Sequence, residues 1–349
     1  MQATYDITQS YDWHYANGPI IDFELPENLP ARQPTEFLGF KINSPLGVPA
    51  GPLLNANWIK LFAACGWDLP IYKTVRSRAV PCHPNPNIVF VHPDKQLGEA
   101  DAGGKLAGDL DKPDAVGNLS ITNSFGVPSK KPHIWQADVE LANSYLKDGQ
   151  VMIVSCMGTA SDDEAVEVDY ARTAAMAVEA GAKIIELNYS CPNLASGEGS
   201  IYADAVLSSR ISKAVRAAIG STPLLIKMGN LDPKQLEEVV LANAPFVDGF
   251  AGINTVQMHV SHPDGSDILP DRQKSGICGS CIQTAGLDWA RQLAELQMKL
   301  GNEKVIVGCG GVMTENDIDE RLAAGADIVM SATAAMWDPL LAARWRAAG

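Results

Sequence analysis

Short runs of nearly unbroken apolar character recur along the chain, separated by longer segments with helical spacing. The runs are SPLGVPA (44–50), LPIYKTV (69–75), VMIVSC (151–156), KIIELN (183–188), PLLIKM (223–228), VDGFAGIN (247–254), KVIVGCG (304–310) and ADIVMSA (326–332). Each is a few residues long and lacks regular polar alternation, which is the pattern of a parallel strand covered on both faces. Between two of them, Ser161 with Glu164 predicts a helix start. Ala165, Val168, Ala171, Ala175 and Val178 then mark one face, and Gly181 ends the helix. Thr314 with Asp317 opens another helix ahead of Gly325 in the same manner. Eight strand–helix units predict an α/β fold, a closed parallel (β/α)8 TIM barrel. A doubly wound open sheet is the alternative, disfavoured because no GxGxxG turn follows the first strand.

Two segments fall outside the repeat of what reads as a single domain over residues 1–349. Residues 1–43 form an N-terminal extension, in which TEFLGFKI (35–42) reads as a strand or hairpin able to plug the barrel bottom. Residues 76–130 form a long excursion rich in Pro, Gly and Asp. A loop of that length is usually functional or disordered. Because it leaves the C-terminal end of a strand, where barrel active sites are built, a lid over the substrate is the expectation.

Composition narrows the function classes. Hydrophobic residues make up 46% and charged residues 19%, which suits a large folded core. No run approaches the roughly 18 apolar residues a membrane span needs, and the N-terminus shows no basic and apolar secretion signal. Seven scattered cysteines point to reduced thiols in a cytosolic compartment. The formal net charge of −14 argues against nucleic acid or an anionic membrane as partner, but not against a small phosphate ligand in a local site.

The candidate chemistry sits at the C-terminal ends of the strands. Lys73 and Thr74 come from the second, Asn188, Cys191 and Asn193 from the fourth, and Lys227 from the fifth. Asn254 and Thr255 follow the sixth, Gly310 and Gly311 the seventh, Ala332 and Thr333 the eighth. Glycines after strand seven and small residues after strand eight suit a barrel phosphate cup, where backbone N–H groups hold the anion. A tight turn is the plainer reading. Lysine is rarely buried alone, so Lys73 and Lys227 suggest either an electron-rich heterocycle or a salt bridge to a carboxylate such as Glu186. Cys191 can act as a general base, whereas Cys65, Cys156 and Cys309 read as packing residues. Asn123, Asn188, Asn193 and Asn254 offer neutral donors and acceptors to a planar ring of amides. Cys278 and Cys281 have metal spacing but no second pair, and their Gly-rich loop reads as a phosphate contact, so no metal site is expected.

These residues resemble the dihydroorotate dehydrogenases, flavoproteins on a (β/α)8 barrel, over roughly residues 38–345. The resemblance rests on SPLGVPAG (44–51), KTV (73–75), NSFGVPS (123–129), ELNYSCPN (186–193), IKM (226–228), INTV (253–256), GCGGV (308–312) and SATAAMWDP (331–339). It implies FMN as cofactor and oxidation of dihydroorotate to orotate in pyrimidine biosynthesis. Cys191 would take the C5 proton while the C6 hydride passes to flavin N5. Asn123, Asn188, Asn193, Asn254 and Thr255 would hold the pyrimidine, and Lys73 would lie beside flavin and substrate. Ala50, Gly51 and Thr74 would line the isoalloxazine, Lys227 would face flavin N1 and O2, and Asn254 would also border the cofactor. Gly276, Gly279, Gly310, Gly311, Ala332 and Thr333 would wrap the ribityl phosphate.

Cysteine at the base position resembles the soluble class, and NSFGVPS the homodimeric branch that uses a soluble electron acceptor such as fumarate. The chain differs from the family in its long 76–122 loop, its N-terminal extension, Ala332 in place of glycine, and SGICGSC in place of a Gly-Gly pattern. The competing readings are a dihydropyrimidine dehydrogenase, whose related motif has His at the Asn193 position, and a dihydrouridine synthase, which grips tRNA. A silent flavin-binding barrel and a flavin-free Schiff-base aldolase complete the set.

Overall fold

Alternating positions along the apolar runs have two destinations. The computed structural model describes residues 2–161, 163–190, 200–272, 274–301 and 303–349. Within it all eight runs are strands: β1 (Leu46–Val48), β2 (Leu69–Val75), β3 (Ile153–Cys156), β4 (Ile184–Asn188), β5 (Leu224–Lys227), β6 (Gly249–Gly252), β7 (Val305–Gly308) and β8 (Ile328–Met330). They pair in parallel in chain order, and β8 returns to β1 to close the barrel. Leu69, Ile71, Ile153, Ile184, Leu225, Val307 and Ile328 share one buried cluster inside it. Their neighbours Tyr72, Val154, Ile185, Ile226, Phe250 and Val329 belong to the larger cluster under the helices. Both faces are apolar, so the strands carry no polar stripe. The hairpin of Thr35–Phe37 and Phe40–Ile42 sends Phe37 and Ile42 into the interior cluster.

Each strand is followed by a helix, beginning with Ala56–Ala64 and ending with Thr333–Trp337 and Leu341–Ala347. The Thr314–Asp317 capping box forms as the spacing predicts, with Asp317 N donating to Thr314 Oγ1 at 3.3 Å and Thr314 N to Asp317 Oδ2 at 2.8 Å. The Ser161 cap does not form. Ser161 and Glu164 instead exchange backbone hydrogen bonds as an isolated bridge, and the helix starts at Val166 with Ala165 as its cap. Its buried face is correspondingly rotated to Val166, Tyr170, Thr173, Ala174 and Ala177, leaving Val168 exposed. The large ring of Tyr170, fully buried, decides which face turns inward.

The 76–130 excursion is not structureless. It contains the strands Ile88–Val91, Lys105–Asp109 and Ser120–Asn123. These join Val256–Ser261 and Ser275–Gly279, from the connection after β6, in a second closed sheet of five strands. SGICG is therefore a strand, not the loop its glycines suggest. Glycine is required because a Cβ at Gly276 would lie 2.5 Å from Thr255 Oγ1, and one at Gly279 2.2 Å from the Leu119 carbonyl oxygen. The N-terminal segment is tied to the end of the barrel, with Thr4 N donating to the Met336 carbonyl at 2.8 Å.

Candidate active site

Side-chain parity carries the inward positions of the strands up to the barrel mouth. Two residues beyond Leu225 stands Lys227, two beyond Ile153 Ser155, two beyond Ile184 Glu186, and four beyond Leu69 Lys73. Lys73, Glu186 and Lys227 line a cavity of about 300 Å³ between the barrel and the small sheet, the size of a site for an organic cofactor or substrate.

Every predicted site residue that is described lines this one cavity. Ala50, Gly51, Lys73 and Thr74 form one side, with Asn188 and Lys227 on the adjoining strand ends. Asn254, Thr255, Gly310 and Gly311 follow around the rim, then Ala332 and Thr333. Asn123, Gly276 and Gly279 reach it from the small sheet. Cys191 and Asn193 lie outside the described residues. Cys309, expected to be a packing residue only, also lines the cavity and donates its thiol to the Ile253 carbonyl at 3.1 Å. Among the described residues no group of His, Cys, Asp or Glu is placed to hold a metal ion.

The Lys73 ammonium has no carboxylate within ion-pair distance among the described residues. It donates to the Gly51 carbonyl at 2.6 Å and sits 4.9 Å from the Phe125 ring centroid, a cation–π contact. Burial pulls its pKa down from 10.5 to about 8, because a low dielectric disfavours the charged form. Lys227 is also buried and lies beyond ion-pair distance of Glu186, so the expected salt bridge does not close; burial works against its charge, but attraction from Cys309 and Glu186 outweighs this and raises its pKa, the opposite of Lys73. Ser155 stands beside Glu186 in the strand register and meets Thr74 at 3.0 Å, and Asn188 Nδ2 donates to Thr74 Oγ1 at 3.3 Å. Burial raises the Glu186 carboxyl above the usual range, against the opposing pull of Lys227 and Ser155.

The glycine turn after β7 is built around a residue that sequence reasoning missed. Gly310 and Gly311 have φ of +96° and +73°, and a Cβ on Gly311 would fall 2.3 Å from Gln283 Cα. The buried Arg321 donates to the Gly310 carbonyl and, at 3.0 Å, to that of Gln283. Burial pulls its guanidinium down to about 10. An arginine on an otherwise ordinary amphipathic helix gave no signal of this role. Ala332, by contrast, has φ −105°, so a glycine is not needed there. Tyr5 and Phe125 also line the cavity, with ring centroids 6.3 Å apart. Tyr5 belongs to the N-terminal extension and was not anticipated.

The cavity fits a flavin mononucleotide. Two buried lysines make no close ion pair among the described residues, amides ring the mouth, Ala50, Leu54, Ile88 and Met330 supply apolar wall, and the Gly310–Gly311 turn has no room for side chains.

Comparison with known proteins agrees with this geometry. The dihydroorotate dehydrogenase family model matches residues 112–344. A dihydroorotate dehydrogenase of Dictyostelium discoideum is 41% identical over 98% of this chain and 96% of its own length. The catalytic subunit of an NAD(+)-type dihydroorotate dehydrogenase B of Enterococcus faecalis is 32% identical over 51% of this chain and 55% of its own. Among solved structures, a dihydroorotate dehydrogenase of Eimeria tenella in complex with ferulenol superposes with a TM-score of 0.71. It covers 96% of this chain and 87% of that one, at 17% identity, a likeness of fold.

Proposed function

The chain belongs to the dihydroorotate dehydrogenase family, and on that premise we propose that it oxidises dihydroorotate to orotate with FMN, a step of pyrimidine biosynthesis. The observation that carries this reading is the pair of buried lysines facing an apolar cavity rimmed by asparagines. FMN, when bound, supplies the acceptor for the hydrogen that leaves substrate C6 with its electron pair. The cations of Lys73 and Lys227 favour negative charge that develops beside them, most strongly where water is excluded. Asn123, Asn188 and Asn254, with Thr255, match the donors and acceptors of the pyrimidine amides. The Gly310–Gly311 turn and residues Ala332 and Thr333, with Gly276 and Gly279, would hold the phosphate end.

Cys191, with Asn193 beside the substrate, is assigned the proton step. Its thiolate takes the C5 proton, and loss of C5–H and C6–H leaves the C5=C6 double bond. The electrons then leave to a soluble acceptor such as fumarate, from a homodimer in the cytoplasm. No helix among the described residues is long and apolar enough to cross a membrane.

The test is anaerobic. Dihydroorotate should bleach the yellow protein while dihydrouracil does not, and fumarate should restore the colour. Cys191→Ser should keep FMN yet bleach at least a hundredfold more slowly near neutral pH, the usual scale of general-base catalysis. Equal bleaching rates in the two proteins would remove Cys191 from the proton step, and bleaching by dihydrouracil would move the substrate class.

A further inference from the structure

Val127 stands in a backbone conformation that its own side chain resists. Its φ is +50°, beside +74° at Gly126. A β-branched residue rarely adopts a positive φ, and the following Pro128 favours an extended conformation instead. Such an outlier persists only where its surroundings hold it, and it gathers where binding needs it. Here one side chain does the holding. Arg76, the buried residue directly after β2, donates from Nε to the Val127 carbonyl at 3.0 Å and from Nη2 to the Gly126 carbonyl at 3.4 Å. These are the carbonyls on either side of the Val127 Cα. Resting on the flavin–pyrimidine reading of the cavity, we propose that Arg76 is a positioning residue. It locks the turn at residues 125–127 so that the amide N–H groups there face the carboxylate of the bound pyrimidine.

The direction of these amides follows from their carbonyls. In a planar trans peptide the C=O and the N–H point opposite ways. The Ser124 carbonyl accepts from Asn87 Nδ2 at 3.1 Å and Arg272 Nη1 at 3.0 Å, and that of Phe125 from His83 N at 3.1 Å. Arg76 takes the next one, on Gly126. Each carbonyl is thus held by a donor of the protein. The N–H groups at the other ends of these peptides, on Phe125, Gly126 and Val127, have no partner among the described residues. All three residues line the cavity, and the Lys73 ammonium lies 4.9 Å from the Phe125 ring centroid. Successive unpartnered N–H groups in a turn, with a cation beside them, suit an anion. The Gly310–Gly311 turn serves the cofactor phosphate, which leaves the substrate carboxylate for this one.

Arg76 is itself fixed on three sides. Its backbone N donates to Ser129 Oγ, its carbonyl accepts from Trp135 Nε1, and its Nη1 donates to Thr159 Oγ1, each at 3.0 Å. The turn is therefore tied to the barrel near the ends of β2 and β3, and not only to the excursion that it ends. A guanidinium suits the task because its donors form a rigid fork and its charge strengthens each bond. A lysine keeps the charge but offers its donors from one nitrogen, so it cannot reproduce the fork.

The experiment titrates FMN-loaded protein with orotate, read from the absorbance change of the bound flavin, with FMN release and thermal melting measured alongside. Arg76→Met and Arg76→Lys should each weaken orotate about tenfold, the scale of one hydrogen bond to a charged group, while FMN affinity stays within about twofold. Glycine takes a positive φ without strain. Val127→Gly added to Arg76→Lys should therefore recover about threefold of the lost orotate affinity, a coupling that an arginine holding only the general fold would not show. The lysine variant decides the matter if the methionine variant does not fold. Orotate affinity within about threefold of the parent in a folded Arg76 variant would overturn the proposal. So would an equal loss of FMN, or no recovery with glycine. A parent protein that binds FMN but no orotate would instead reject the substrate reading, and the proposal with it.

Discussion

Lys73 gives the sharpest test of the electrostatics. In the folded, flavin-free protein burial lowers its pKa to about 8, whereas an unfolded lysine titrates at 10.5. Between these values the unfolded chain binds a proton that the folded chain has released, so this group makes stability rise with pH. The span is about 2.5 pH units at about 1.4 kcal/mol each, or about 3.5 kcal/mol in full. Between pH 7 and pH 10 about 2 to 3 kcal/mol of that should be realised. Other groups titrate over the same range, so the measurement is a difference. Urea unfolding of FMN-free parent and Lys73→Met should be compared at pH 7, 8, 9 and 10. The methionine variant should be the more stable of the two at pH 7, since it buries no charge, though it loses the hydrogen bond to Gly51. Its advantage should shrink steadily as pH rises past 8. A stability difference that stays flat from pH 7 to 10 would refute the claim that burial, unopposed by a carboxylate, governs this lysine.

Two further substitutions probe the frame around the cavity. Gly311→Ala forces a Cβ to 2.3 Å from Gln283 Cα and 2.4 Å from Gln283 N, both backbone atoms, at φ +73°. It should cost about 1–3 kcal/mol in stability from strain alone and weaken FMN markedly, and flavin-release titration with wild-type affinity would contradict the close approach. At the barrel bottom, Arg346 pairs with Asp68 at 3.0 Å where both are almost wholly buried. Arg346→Met strands a carboxylate that retains only Ser44 and Gln150, and should lower stability by about 3–5 kcal/mol. A melting temperature within a degree of the parent would show that the pair is dispensable.

How much of this was legible depended on whether a residue's role is local. The eight strands could be read because each is buried on both faces and its neighbour in the barrel is also its neighbour in sequence. Lys73, Asn188 and Lys227 stood out for the same reason, as polar residues at the ends of apolar runs. The five-stranded sheet could not be read. Its strands are short and lie among prolines and glycines. Two of its pairings join segments about 150 residues apart, Lys105–Asp109 with Val256–Ser261 and Ser120–Asn123 with Ser275–Gly279. Arg321 escaped for a similar reason, since its partners are backbone carbonyls that leave no trace in side-chain identity. Tyr5 did too, because it reaches the cavity only through the docking of the N-terminal segment on Met336.

The most useful lesson concerns charge. A chain with a net charge of −14 is a poor candidate for anionic ligands by composition, yet its cavity is lined by Lys73 and Lys227. The surface carboxylates face water and are screened within about 8–10 Å, whereas the two lysines act across an apolar interior where each charge counts for more. Among the described residues that line the cavity Glu186 is the one acidic group, and burial drives it toward the uncharged form. The local field therefore follows from which side of a strand a residue occupies. That single bit of information, even or odd along β2, β4 and β5, decides the sign of the site where the net charge misleads.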